Sequence, residues 1–120
     1  FHRLPAVDRY LMADETFGLV SEVDWVTGAV MLLRKNALNE VGLLDEQFYL
    51  YFEDEDLCCR MWQKGWKVYY IKSAKAYHAH IAAGRKKILS KANIHHLTSA
   101  FRMLFKYGGK IGPCRKNHKE

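Results

Sequence analysis

The sequence predicts an α/β fold: a few strands with flanking helices, closed by a long amphipathic helix toward the C-terminal end. Three observations carry that expectation. Apolar runs of strand character, at 23–33 and 66–71, alternate with stretches whose apolar residues recur at helical spacing. Glycine closes each helical stretch: Gly42, Gly65 and the pair Gly108-Gly109. Of the 120 residues 49% are apolar, with three Trp, seven Tyr and six Phe, which suits a core in one modest domain and excludes a disordered chain.

Residues 1–22 are weakly periodic, with Pro5 and Gly18 as breakers, and read as an irregular segment around one short helix. The apolar run that ends 23–33 reads as a strand buried on both faces, with Gly28 marking a tight backbone approach. Ala37, Leu38 and Val41 then fall at helical spacing before Gly42. Residues 45–51 form an aromatic-rich loop. Over 53–64 the residues Leu57, Cys58, Met61 and Trp62 make one helical stripe, stopped by Gly65. A β-branched and aromatic strand is expected over 66–71, and a second extended stretch over 74–80, ending in His78-Ala79-His80.

The final helix is expected over 86–107. Its apolar face is Ile88, Leu89, Ala92, His96, Leu97, Ala100, Phe101, Leu104 and Phe105; Lys87, Lys91, Thr98, Arg102 and Lys106 make the polar one. Residues 108–120 read as a tail, disordered from Cys114 on.

Charge is segregated. Residues 1–70 hold seven Lys/Arg against twelve Asp/Glu, a balance of −5, and residues 71–120 hold twelve Lys/Arg against Glu120, a balance of +11. A basic half favours a polyanionic partner: nucleic acid, an anionic membrane face or a phosphate-bearing ligand. Cys58, Cys59 and Cys114 do not form a disulfide pattern, so reduced thiols in a reducing cytoplasmic setting are expected. No apolar run reaches 18 residues, so no transmembrane span is expected. The opening Phe-His-Arg-Leu-Pro resembles no signal peptide and reads as the edge of an excised fragment.

The acidic run Glu53-Asp54-Glu55-Asp56 has a plain explanation. Carboxylates in a first helical turn offset the helix dipole, each by roughly 0.3–1 kcal/mol, and Asp56 stands at i, i+4 to Arg60 as an ion pair would. Against this, Phe48, Tyr49, Tyr51 and Phe52 precede it as a wall able to desolvate a carboxylate. Four adjacent charges also exceed what capping needs, and their repulsion favours a general base among them. A Gly-bearing strand and a His-bearing strand end flank the helix in sequence, as a cleft requires. On balance these features outweigh the plain reading.

Four segments then resemble bacterial family-2 glycosyltransferases of the GT-A type. Residues 23–34, VDWVTGAVMLLR, are similar to the DW-x-x-GA-x-x-h-x-R block of that family, and 41–48, VGLLDEQF, to G-x-h-DE-x-F. Residues 52–60, FEDEDLCCR, resemble F-x-ED-x-DL-x-x-R, and 74–78, AKAYH, the A-x-h-x-H strand end. The blocks share the order and spacing of the family over about 23–85, nearest to its rhamnosyltransferase-like branch.

This resemblance implies the C-terminal, acceptor-side half of a GT-A fold, with 23–85 as its catalytic part and 86–107 as a basic helix. It implies inverting transfer of a sugar from a nucleotide-diphosphate sugar to a hydroxyl of a saccharide or lipid-linked acceptor in cell-surface polysaccharide synthesis. Asp54 maps to the general base, Glu53 supports it or contacts the acceptor, and Asp56 with Arg60 holds the helix start. His78 sits where some members place a metal- or diphosphate-contacting histidine. Arg85 could reach the donor diphosphate, as could Lys86; Gly28 and Trp25 are the other substrate-side candidates, although a Trp beside a core strand is commonly structural.

A divalent metal, Mg or Mn, is expected in the full-length enzyme. The metal-holding Asp-x-Asp belongs at an upstream strand end, so Asp54-Glu55-Asp56 is not read as that motif. No nucleotide-binding βαβ unit or Gly-rich phosphate loop occurs, and on that basis this stretch alone is expected to be inactive and to bind no metal. The location expected is cytoplasmic, at the inner face of the membrane, where the cationic helix would touch anionic lipid. The alternative is a small basic nucleic-acid-binding domain; its basic residues lie beside an apolar face rather than on an aromatic platform, which argues against a nucleic-acid partner. A zinc module lacks its Cys-x-x-Cys or His-x-x-x-His spacing.

Overall fold

A computed structural model describes residues 12, 16–79, 91–109 and 114. Its sheet is a pair of short strands, β1 (Val20–Glu22) antiparallel to β2 (Tyr69–Ile71), with Val20 opposite Ile71 and Glu22 opposite Tyr69. The backbone pairing runs one step further, where Val23 N–H donates to the Val68 carbonyl at 3.0 Å. Lys67 and Glu22 pair at the end of this ladder, 2.5 Å apart.

The expected strand over 66–71 is present in its second half, but the one over 23–33 is not. The chain leaves the sheet at Val23 and runs without strand or helix to residue 34. Val30 and Leu32 point to solvent, Leu32 fully exposed. A strand hidden on both faces needs covering layers and ladder partners on each edge. Among the described residues β1 has one neighbour, β2, so the apolar run has nothing to be buried between. Residues 74–79 likewise carry no strand, and His80 lies outside the described residues.

Helix α1 (Lys35–Val41) forms where its spacing places it, and Gly42 closes it at φ 82°, donating its N–H to the Leu38 carbonyl at 2.8 Å. That left-handed closure suits a residue without Cβ. Helix α2 (Glu53–Gln63) follows the aromatic loop and is the centre of the molecule. Its expected stripe is correct: Leu57, Cys58 and Met61 join Val23, Ala37 and Val68 in one core cluster, with Trp62 at its edge. The Trp62 indole N–H donates to the Asp24 carbonyl at 3.1 Å.

A second face of α2 is buried as well. Cys59 meets Phe48 and Met103 in a separate cluster, edged by Phe52, Tyr107 and Cys114. Met103 belongs to α3 (Lys91–Lys106), whose described extent lies inside the expected 86–107. The expected apolar face of this helix is overturned. Its buried residues are Ser99 and Met103, while Leu97, Phe101 and Phe105 face outward. Residues 85–90, which include Ile88 and Leu89, lie outside the described residues.

The face of α3 that turns inward is the one that meets the charge on α2. Asp56 is completely buried, and an uncompensated buried charge costs several kcal/mol. Exposing a Leu or Phe forfeits roughly 1.5–3 kcal/mol apiece. Turning α3 so that Lys106 and Tyr107 reach Asp56 therefore competes with burying its larger apolar stripe.

The expectation of reduced thiols is also overturned. Cys59 and Cys114 form a disulfide across 55 residues, while buried Cys58 remains a free thiol whose burial raises its pKa to about 11. Spacing along the chain could not show that α2 turns Cys59, rather than Cys58, toward Cys114. Closing a loop of this length contributes about 4 kcal/mol in the chain-entropy account, and native bridges commonly contribute roughly 2–5 kcal/mol. Reduction, or Cys114→Ser, is expected to lower unfolding stability by about 2–4 kcal/mol. A urea midpoint unmoved by reductant would contradict the bridge.

Candidate active site

The site is built by an abrupt helix start. Tyr51 and Phe52 sit at φ 64° and 69°, two consecutive aromatic residues in left-handed backbone, and α2 begins at the next residue. Each such residue costs on the order of 1–3 kcal/mol and persists only where its surroundings fix it. Here α3 does so: the Tyr51 ring meets His96 edge-on at 4.9 Å, the Phe52 ring stacks on His96 at 5.5 Å, and Tyr49 lies against His95 at 4.4 Å. The aromatic loop thus docks on α3, a partner the sequence reading, which took the rings as a wall beside the carboxylates, did not foresee.

Asp54 occupies the first turn of α2, half-buried. Its Oδ2 accepts the Gly28 N–H at 2.7 Å and its Oδ1 accepts the Glu55 N–H at 2.9 Å. The carboxylate is therefore gripped at both oxygens by backbone, which fixes its plane. Gly28 lies beside Asp54, and a Cβ there would sit 3.4 Å from the Asp54 Cβ, an ordinary contact that leaves room for a small side chain. Its role in the structure is to hold Asp54. Neighbouring Glu53 is half-buried, and its Oε2 is shielded from solvent with no hydrogen-bond donor among the described residues.

Asp56, two residues on from Asp54, looks inward. It accepts the Arg60 Nε at 2.8 Å and the Tyr107 hydroxyl at 2.7 Å, and pairs with the Lys106 ammonium at 2.8 Å. Lys106 also pairs with Asp45 at 2.6 Å. Arg60 further donates to the carbonyls of Val41 and Leu43, and Arg102 to that of Gln47. The pairing of Asp56 with Arg60 was legible at i, i+4. Tyr107 and Lys106 were missed, because they arrive from 51 and 50 residues away with no local signal.

The charges of this cluster are mutually reinforcing. Burial, helped by the Asp56 carboxylate, pushes the Tyr107 hydroxyl far above its ordinary range. Burial alone would lower Lys106, but its hydrogen bonds to Asp45 and Asp56 outweigh that and raise it. The Lys106 hydrogen bond, then the Gln47 N–H, hold Asp45 below the usual carboxylate range. Folding therefore binds the Lys106 and Tyr107 protons more tightly. Their contribution is full below the unfolded values, about 10, and is lost as pH rises through the folded ones. That of Asp45 is full above about pH 4 and is lost as pH falls. The urea midpoint is expected to hold from about pH 5 to 9 and to decline on both sides. Tyr107→Phe should make the alkaline decline shallower.

Trp25 is half-buried and packs against the first core cluster. His78 lies in the exposed stretch 72–79, and Arg85 falls outside the described residues. A divalent metal finds no ligand set here: among the described residues no three His, Cys, Asp or Glu side chains converge. No helix among them is long and apolar enough to cross a membrane.

Comparison with known proteins gives the family of the stretch that carries these residues. Residues 7–97 match the family described as Glycosyltransferase like family 2. The chain is 30% identical over 87 residues to an N-acetylglucosaminyl-diphospho-decaprenol L-rhamnosyltransferase of Mycobacterium tuberculosis, covering 72% of this chain and 28% of that protein. It is 37% identical over 83 residues to rhamnosyltransferase WbbL of Escherichia coli strain K12, covering 68% of this chain and 31% of that protein. The chain thus spans about three-tenths of the length of these curated relatives. No solved structure gives a significant match. The matched span takes in the Gly28–Asp54 contact and all of α2, and on it the chain belongs to glycosyltransferase family 2, as a rhamnosyltransferase-like member.

Proposed function

We propose that this chain supplies the acceptor side of an inverting glycosyltransferase of the GT-A type, which moves a sugar from a nucleotide-diphosphate donor to a hydroxyl of a saccharide or lipid-linked acceptor in cell-surface polysaccharide synthesis. The observation that carries the reading is the carboxylate of Asp54, held at both oxygens by backbone N–H groups in a half-buried position at a helix start. Each oxygen keeps a lone pair for a proton, and neither can swing away. In this role Asp54 takes the proton of the acceptor hydroxyl as its oxygen attacks the anomeric carbon and the C–O bond to the diphosphate breaks. One displacement with one base inverts the configuration.

Glu53 fits beside it as a support for Asp54 or an acceptor contact, from the same first turn of α2. The relatives named above are rhamnosyltransferases, one of them acting on a diphospho-decaprenol substrate; we extend both the sugar and the lipid-linked acceptor to this chain. The residues that hold the nucleotide and any metal are assigned to the part of the protein beyond this stretch, with Arg85 and His78 as contributors from this side.

The test is transfer by the complete protein from nucleotide-diphosphate rhamnose to a lipid-linked N-acetylglucosamine acceptor, with the anomeric configuration of the product read by NMR. Inversion is expected. Retention would exclude a single displacement, and absence of transfer from any nucleotide-diphosphate sugar would overturn the activity.

A further inference from the structure

The rotation of α3 leaves a surface that the sugar-transfer reading does not use. Ile94, Leu97, Phe101 and Phe105 are 53%, 60%, 54% and 85% exposed. At 3.6 residues per turn they fall in a sector of roughly 80°, a continuous stripe along a helix of about 24 Å. The opposite side of α3 is the one that packs, through Ser99, Met103 and Tyr107. Large apolar stripes exposed in this way mark surfaces that meet something.

Charge says what that is. Lys91 and Arg102 border the stripe along one edge, and α3 contains no Asp or Glu. In sequence the helix stands between Arg85-Lys86-Lys87 and Lys110, Arg115, Lys116 and Lys119, with Glu120 as the sole acid after Asp56. A protein interface would have no use for a one-sided excess of this size, unless its partner were strongly acidic. An apolar stripe with a cationic border and cationic flanks is the pattern of a helix lying in the plane of an anionic bilayer surface.

We infer that α3 is a membrane-surface helix, seated on anionic lipid by Ile94, Leu97, Phe101 and Phe105, with Lys91 and Arg102 at the headgroups. The inference stands on α3 alone; transfer to a water-soluble acceptor would be unaffected by its failure.

The test is co-sedimentation of the complete protein with vesicles of equal phosphatidylglycerol and phosphatidylcholine, and with phosphatidylcholine alone. Binding is expected to the first, weakening as salt rises past about 0.15 M, with little to the second. Leu97→Ser with Phe101→Ser should reduce binding about tenfold or more. Both side chains are outward, so the urea midpoint should be kept. A second variant, Lys91→Glu, should weaken binding without touching the stripe. Three results would overturn the inference: equal binding by the doubly substituted protein, no binding to anionic vesicles, or a concentration-dependent dimer that the double substitution dissolves. A dye at Leu97→Cys should shift to the blue on adding anionic vesicles. A dye already blue-shifted without lipid would show the stripe covered by the rest of the protein, and would overturn it too.

Discussion

Asp54→Asn in the complete protein is expected to lower kcat by roughly 10²–10⁴-fold, the usual share of a general base, with donor binding unchanged. The structure explains why this swap is informative. Both oxygens of Asp54 accept backbone N–H groups, from Gly28 and from Glu55. An amide in its place must turn its NH₂ toward one of those donors, so the swap removes the base and loosens its grip in one step. Stability should change little, because the side chain is only half-buried. Asp54→Glu separates the two effects: a carboxylate displaced by one methylene should retain a measurable part of the rate, where the amide does not. Undiminished transfer by Asp54→Asn would exclude Asp54 as the base and move the role to another group.

Asp56→Ala is expected to cost about 3–5 kcal/mol of unfolding stability, the range for removing one partner from a buried ion pair. The lower end applies, since the Arg60 and Lys106 side chains keep 17% and 35% of their exposure and can recover some hydration. The variant leaves the Tyr107 hydroxyl, Arg60 and Lys106 facing one another without their acceptor. Asp56→Leu combined with Lys106→Met and Tyr107→Phe should recover much of the loss, because apolar groups of similar volume often replace a buried charged cluster at little cost. If the single substitution were silent in urea denaturation, the cluster would not be what holds α3 to α2.

Much of this was legible in the residues. The closures at Gly42 and Gly65, the stripe Leu57, Cys58 and Met61, and the acidic start of α2 follow from local spacing, and the structure keeps them. Gly28 and Asp54 were both singled out, yet nothing local joined them across 26 residues. What failed was non-local. The apolar run after Val23 was read as a strand from its composition, although a run of this kind becomes a strand only with neighbours on its edges. The outward face of α3 was misassigned because a periodicity weighs Phe and Leu by hydrophobicity alone. It takes no account of a buried carboxylate on another helix that requires Lys106 and Tyr107. The Cys59–Cys114 bridge escaped for the same reason.

Asp56 lies two residues from Asp54, in the same turn of α2, and its far partners belong to the end of α3 or follow it directly. Asp56 is therefore one of several ties between α3 and the opening turn of α2, beside the His96 contacts of Tyr51 and Phe52 and the packing of Met103 on Cys59. On the reading of Asp54 as the base, a displacement of α3 would be felt in the catalysed rate, where shifts near 1 Å can count about a hundredfold.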